Sequence, residues 1–288
     1  MHPSLSSNNC RRSSLVYAHT SQESSKSIYI YRDVPVARST PIISTACIDL
    51  HSTCMSLAKY RLHPSSHEDS KNHVSKRQVI SNVLTLQIVQ VATVTMVMMF
   101  KGTEESGNSS TKMTSYLKLA GQIVVGMVWF DLWQFGTHRV LHANRFLYRN
   151  LHSWHHRLVV TYSFGALYGH PLESFVTDTV GGTTAFLVSG MSPRASIFFF
   201  SLCTVKVIDN HCGMSLLPSW DRISIFNNAA YHDVHHQLRG GNCNYSQLFF
   251  VVWDRIFGTY MPFLIEENKQ GMLQVRAPGL DYRRVCNK

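Results

Sequence analysis

VISNVLTLQIVQVATVTMVMMF, residues 79 to 100, runs for 22 residues without a formal charge. A helix of that length crosses the ~30 Å hydrocarbon layer of a bilayer while satisfying its own backbone groups, as any spanning segment must. The competing fate is a buried helix in a water-soluble core, which the β-branched richness and the polar Gln87 and Gln90 keep open. A second apolar stretch runs from about Leu117 to Gly136, with Lys118 at its start and Asp131 near its end. Its Trp129 and Trp133 suit a membrane interface. Residues 175–190 and 195–209 are each short for a full span, and SPR at 192–194 supplies a turn between them. They are expected to form a hairpin of tilted or partly embedded helices.

Loop charges give an orientation. Lys76 and Arg77 precede the first stretch, and Arg139, Arg145, Arg149 and Arg157 follow the second. Between the two, Lys101 and Lys112 are offset by Glu104 and Glu105. The positive-inside bias places residue 77 and everything after the second stretch on the cytosolic side, and the hairpin returns the chain to that side.

The formal net charge is +10, with ten Lys/Arg against five Asp/Glu in residues 1–77. A basic balance suits nucleic acid or an anionic membrane surface. No aromatic-studded basic groove or nucleic-acid motif is present, so the membrane is the expected partner. Residues 1–57 are serine-rich and hold no periodicity, which predicts disorder. MHPSLSSNNCRRSSLVYAHTS lacks a charged start followed by an apolar run, so insertion is expected to use an internal segment. The seven cysteines form no CxxC pair, which argues against a disulfide framework or a thiolate zinc site and for a reducing compartment.

Ten of the 16 histidines lie between residues 138 and 236, in regular spacing. HRVLH sets His138 and His142 at i and i+4, on one helical face. HSWHH gives His152, His155 and His156 at i, i+3 and i+4, and YHDVHH repeats the arrangement with His232, His235 and His236. His170, before a proline, and His211, in NHCG, complete the set. A lone histidine is usually structural, and one HxxxH is a weak signal. Three clusters on one expected membrane face are a strong one. Eight to ten imidazoles exceed the needs of one zinc and fit two metal ions. Imidazole suits iron, copper or zinc, so the ligands alone do not choose among them. Asp131, Asp178, Asp209 and Asp233 are candidates to fix the ring tautomers. The other six histidines (His2, His19, His51, His63, His67, His73) show no ligand spacing and are expected to be structural or exposed.

These boxes resemble those of the membrane-bound fatty acid hydroxylase and sterol desaturase superfamily. FLYRNLHSWHHRLVVTYSFGALYGHPLESFVTDTVGG, VSGMSPR, DNHCG, NNAAYHDVHHQ and WDRIFGTYMP are similar to the plant sphinganine C-4 hydroxylases within it, over about Tyr60 to Pro262. The resemblance implies an all-α integral membrane protein whose cytosolic helical cap carries a di-iron site. It further implies a monooxygenase of the endoplasmic reticulum that uses O2, with electrons from NAD(P)H through cytochrome b5 and its reductase. The implied substrate is sphinganine, free or in a ceramide, and other sphingolipid enzymes such as ceramide synthase are possible partners. The implied iron ligands are His138, His142, His152, His155, His156, His170, His211, His232, His235 and His236.

The expected organisation is an irregular segment 1–57, a membrane-embedded hydroxylase domain 58–265 and a tail 266–288. Residues 1–57 depart from the family, whose members usually begin with another membrane segment. RRVCNK carries no dilysine retrieval signal, so residence in the endoplasmic reticulum follows from the resemblance alone. Tyr162 to Glu173 either borders a substrate entrance or is a packed turn. Phe198, Phe199 and Phe200 are expected to be bilayer or helix contacts more than an alkyl-chain slot. Asn108 and Asn244 head sequons, the first expected to be luminal and the second cytosolic. Alternatives to sphinganine hydroxylation are sterol C-4 methyl oxidation or a related lipid oxidation, a catalytically silent membrane subunit, and a structural zinc protein.

Overall fold

A computed structural model describes residues 59–64, 66–101, 112–215, 225–237, 241–267 and 273–276. The expected disorder of residues 1–57, the Asn108 sequon and the C-terminal tail beyond 276 lie outside the described residues.

The chain enters through α1 (Ser66–Lys71) and turns into α2 (Lys76–Lys101). Ser75 and Gln78 close a reciprocal cap at that turn: Ser75 Oγ accepts from Gln78 N, and Gln78 Oε1 accepts from Ser75 N. Only a narrow stripe of α2 is covered, where Val79 and Val83 pack against Leu158, Tyr162 and Tyr168. Ile80, Leu84, Ile88, Val89, Met96, Met99 and Phe100 are exposed.

The second apolar stretch is longer than its hydrophobic part suggests. It lies inside α3 (Lys112–Ala143), one uninterrupted 32-residue helix that continues through HRVLH. At 1.5 Å per residue it is about 48 Å long, so its last turns carry His138 and His142 well beyond its apolar middle. Asn144 then caps the short α4 (Arg145–Asn150), accepting from Phe146 N and Leu147 N.

HSWHH forms a 3₁₀ helix, His152–Arg157, followed by a second over Ser163–Leu167. The four-residue α5 (Pro171–Ser174) opens into a π-helix, Phe175–Val180, and then α6 (Gly181–Ser189). The expected hairpin is therefore present, its first arm broken by a wide π turn. Gly190, at φ 64°, ends α6 in the left-handed conformation that glycine adopts without a Cβ clash. Ser192 caps α7 (Pro193–His211), with Pro193 in the first turn. The three adjacent phenylalanines of α7 diverge: Phe199 is fully buried, Phe198 is exposed, and Phe200 meets Phe130 edge-on.

YHDVHH lies in α8 (Ala229–His236), which is buried at every position. The chain closes with α9 (Val252–Ile256) and an antiparallel pair, β1 (Leu264–Glu267) and β2 (Leu273–Arg276). This pair corrects the all-α expectation to a mostly helical fold. It also straddles the expected boundary after residue 265, and Val275 packs with Leu62, Ala230 and Val234 in one core cluster.

Between α8 and α9, residues 241–251 contain no regular element, yet most of their backbone is tied to buried side chains. Asp131 of α3 accepts from Phe249 N, Phe250 N and the Trp253 indole. Asn210 donates to the carbonyls of Gln247 and Leu248, and Asn227 donates to that of Ser246. Asp254 accepts from Tyr245 N, Ser246 N, the Tyr231 hydroxyl and the Thr259 hydroxyl. Buried backbone must find partners, and here polar side chains replace a sheet. Cys203 and Cys212 are free, whereas Cys243 is disulfide-bonded.

Candidate metal centre

Four elements deliver nine imidazoles to one place: the end of α3, the 3₁₀ turn 152–157, the last turn of α7, and α8. They sort into two nests. His138, His142, His152, His156 and His235 form one, and His155, His211, His232 and His236 form the other; within each nest the ligating atoms all lie within 4.8 Å of one another. Each HxxHH box is shared. HSWHH contributes its first and last histidines to the first nest and its middle one to the second. YHDVHH does the reverse.

Inside the nests the rings face one another through Nε2. The separations are 3.0 Å for His138 and His152, and 3.1 Å for His156 with both His142 and His152. In the second nest they are 2.9 Å for His232 and His211, 3.0 Å for His236 and His232, and 3.4 Å for His211 and His155. His235 Nε2 is buried without any hydrogen-bond partner.

The outer nitrogens decide what these contacts are. Nδ1 of His138 meets the Tyr245 carbonyl, His155 that of Tyr168, His211 that of Val207, and His235 that of Cys243. A carbonyl only accepts, so each of these Nδ1 atoms carries the proton and each Nε2 presents a lone pair. His211 and His155 therefore point two lone pairs at each other, an arrangement that calls for a cation between them. Burial holds His152, His155, His156, His232, His235 and His236 below the usual histidine range, His235 at about 4, so the rings are neutral donors.

The donor set fits metal ions. Two donors at a metal–nitrogen length of about 2.1 Å sit roughly 3.4 Å apart at a tetrahedral angle and roughly 3.0 Å apart at a right angle. Five of the six Nε2 separations lie at 2.9–3.1 Å, the right-angle value. A nest of five imidazoles also exceeds the four places of tetrahedral zinc.

His170 stands apart from both nests. Its Nδ1 accepts from Leu172 N as the cap of α5, and its ring meets Trp154 edge-on. The four aspartates expected to set the ring tautomers are engaged elsewhere. Asp131 ties down residues 249–253, Asp178 is bonded to Gln134, Asp209 pairs with Lys206, and Asp233 pairs with His63 at 2.8 Å. His63, read as bland from its spacing, thus pins the box helix from outside.

Backbone carbonyls do the work expected of those aspartates, together with Glu173, whose Oε1 lies 2.5 Å from His152 Nδ1. Burial, and secondarily the Asp178 carboxylate, push the Glu173 carboxyl up to about 8. A cation bound at Nε2 strengthens the Nδ1–H as a donor and favours the ionised carboxylate opposite it. Glu173 lies in the Tyr162–Glu173 stretch that was open between an entrance and a packed turn. Tyr162 and Tyr168 are buried in the core, while Glu173 lines a cleft that also holds His155 and His211.

The fatty acid hydroxylase family model matches residues 123–259. The chain is 50% identical over 222 residues to Sphinganine C4-monooxygenase 2 of Arabidopsis thaliana, covering 77% of this chain and 85% of the relative. Sphinganine C4-monooxygenase 1 of the same plant is 48% identical over 221 residues, with the same coverage. A protein of Oryza sativa subsp. indica named as a very-long-chain aldehyde decarbonylase is 47% identical over 220 residues, covering 76% of this chain and 84% of the relative. No solved structure matches the chain.

Proposed function

The chain belongs to the fatty acid hydroxylase family, and from that membership and its two histidine nests we propose that it is a sphinganine C-4 monooxygenase. The observation that carries this reading is the pair of nests, nine imidazoles, seven of them buried and two partly buried, whose ring nitrogens converge on two points. In this reading His138, His142, His152, His156 and His235 hold one iron, and His155, His211, His232 and His236 hold the other. His170 keeps its place as a helix cap. A redox metal pair supplies the oxygen chemistry that acid–base groups cannot apply to a carbon with neither an acidic proton nor a leaving group.

The protein's own part is to bind, orient and exclude water. Carbonyls of Tyr168, Val207, Cys243 and Tyr245 aim the rings, and Glu173 holds His152. The cleft beside His155 and His211 brings one carbon of a chain to the nests. Electrons come from NAD(P)H through cytochrome b5 and its reductase, and O2 is the co-substrate.

The same reading sets α2 and α3 across the membrane of the endoplasmic reticulum, with the nests on the cytosolic side and the α6–α7 hairpin embedded from that side. Support comes from residues Lys76–Val97, a 22-residue apolar segment in which only Val79, Val83 and Leu86 are buried, and from the exposed Leu117, Val124, Val125, Val128 and Leu132 of α3. Exposed apolar faces of that extent suit contact with lipid. The hydroxylase unit runs from about residue 58 through the β1–β2 pair, because Val275 belongs to its core.

The test is long-chain-base profiling in yeast lacking its own sphinganine hydroxylase and expressing this chain. Phytosphingosine is expected with the intact chain and none with His235→Ala, at equal protein abundance. Equal product from both would remove the metal reading, and no product from inserted, stable protein would remove the sphinganine reading. The name of the rice relative raises a long-chain aldehyde as the rival substrate. Consumption of a fed C26 aldehyde by the same membranes, without phytosphingosine, would favour it.

A further inference from the structure

The cleft that reaches the second nest has one polar wall. Gln134, Glu173, Thr177 and Asp178 make up that polar lining, and His155 and His211 line the same cleft. Asp178 sits in the π-helix Phe175–Val180, a rare wide turn that recurs at functional sites. Its Oδ1 accepts from Gln134 Nε2 at 3.0 Å and Thr177 Oγ1 at 3.3 Å, both neutral donors. Among the described residues no basic side chain pairs with it.

Two further acceptors on the wall have no partner. Gln134 directs its amide nitrogen to Asp178 and to the Thr177 carbonyl, which turns its Oε1 the other way. That Oε1 has no partner, in a side chain only 6% exposed. Glu173 gives Oε1 to His152, while its Oε2 is buried and unpartnered. Thus Gln134 Oε1 and Glu173 Oε2 are left without partners, and the Asp178 carboxylate is met only by neutral donors. Leaving such groups unpaired out of water is costly, so the complementary ligand is a cation rich in donors.

We propose that Asp178, Gln134 and Glu173 form the headgroup subsite, with Asp178 the counter-ion of a substrate ammonium, so that the chain takes the free sphingoid base and not its N-acylated form. The proposal rests on the hydroxylase reading and names its substrate more narrowly. The amine nitrogen is three bonds from C-4, about 4 Å, so the group that reads it must share a cleft with the nests. Asp178 does. The ammonium meets Asp178 in a charge-assisted bond, and the C-1 and C-3 hydroxyls donate to Gln134 Oε1 and Glu173 Oε2. Leu167, Val207 and Leu248, on the same cleft, suit the start of the alkyl chain. A ceramide offers one neutral amide N–H there and adds a second chain. An aldehyde offers no donor at all.

The test uses the full-length, iron-loaded protein in membranes from yeast that lack both their own hydroxylase and ceramide synthase, so that added base stays unacylated. Sphinganine and N-acetylsphinganine are compared as substrates of wild type, Asp178→Asn and Asp178→Glu. Wild type is expected to favour sphinganine at least tenfold in kcat/KM. Asp178→Asn is expected to raise the KM for sphinganine at least tenfold, leave that for N-acetylsphinganine within twofold, and keep its iron. Asp178→Glu should recover part of the loss. Equal use of both substrates by wild type, or equal losses for both in Asp178→Asn, overturns the proposal.

Binding is read separately from turnover, as the rise in melting temperature of the detergent-solubilised protein with each compound. If nothing is hydroxylated but sphinganine alone raises the melting temperature, and only when Asp178 is present, the headgroup subsite stands and the reaction assignment falls. If the two compounds act alike on wild type and Asp178→Asn, the subsite falls whatever the activity.

Discussion

A histidine becomes a metal donor only when its proton is held on the far nitrogen, and in this protein that task falls to carbonyls that no side-chain pattern advertises. Two of them, Cys243 O and Tyr245 O, lie in the irregular stretch secured by Asp254, which is fully buried and collects two backbone amides and two hydroxyls. Asp254→Asn keeps the size but turns one acceptor into a donor facing donors. It is expected to cost about 2–4 kcal/mol of stability, read as a lower melting temperature, because a buried hydrogen-bonded charge is lost and donors are left unpaired. Iron content should fall with it, because His138 and His235 lose the supports that aim them. Full iron content with unchanged melting would show that the stretch holds its shape without Asp254. Asn244 illustrates the same dependence on context. Its sequon suggests a topology marker, yet the residue is fully buried, with its side chain bonded to both the amide and the carbonyl of Met261. In the folded protein its side-chain amide is therefore not accessible.

Among the elements, α3 has the widest duties. It supplies an apolar middle, the buried Asp131 that anchors residues 249–253, and two imidazoles at its end. The hairpin packs on it through Gly181, where an added Cβ would come 2.4 Å from Trp133 Cδ1 and 3.1 Å from the Phe130 ring. Gly181→Ala is expected to cost about 1–3 kcal/mol from overpacking, despite alanine's better helix propensity. The same shift would move the π turn that precedes Gly181, and with it Asp178. The melting temperature of the purified variant measures the first effect, and the KM for sphinganine the second. A variant as stable as wild type would mean that the Trp133 ring swings aside at no cost.

For the whole molecule, the nests are where chain segments distant in sequence meet, and the metal is the expected source of that cohesion. Nine imidazoles with converging lone pairs, seven of them buried, repel one another when empty, and a ligand that binds only the folded chain stabilises it by mass action. With the nests filled by iron as proposed, its removal by a strong chelator is therefore expected to lower the melting temperature by several degrees and to open the segment 241–251 to proteolysis. Returning iron should restore stability and activity together, whereas zinc should restore much of the stability and none of the hydroxylation. Unchanged melting after complete iron removal would mean that the fold stands without its metals.

Much was legible in the sequence because some signals are local. Segment length and the absence of charge single out a helix long and apolar enough to cross a membrane, since both act along one axis. HRVLH, HSWHH and YHDVHH mark metal donors, since i, i+3 and i+4 spacing places side chains together within one or two turns. The tertiary structure alone decided which histidines share a nest, because that depends on where four separate elements cross. It also replaced the four expected aspartates with Glu173 and backbone carbonyls. Every residue carries a carbonyl, so only its position in space, and not its letter in the sequence, tells which one reaches a ring.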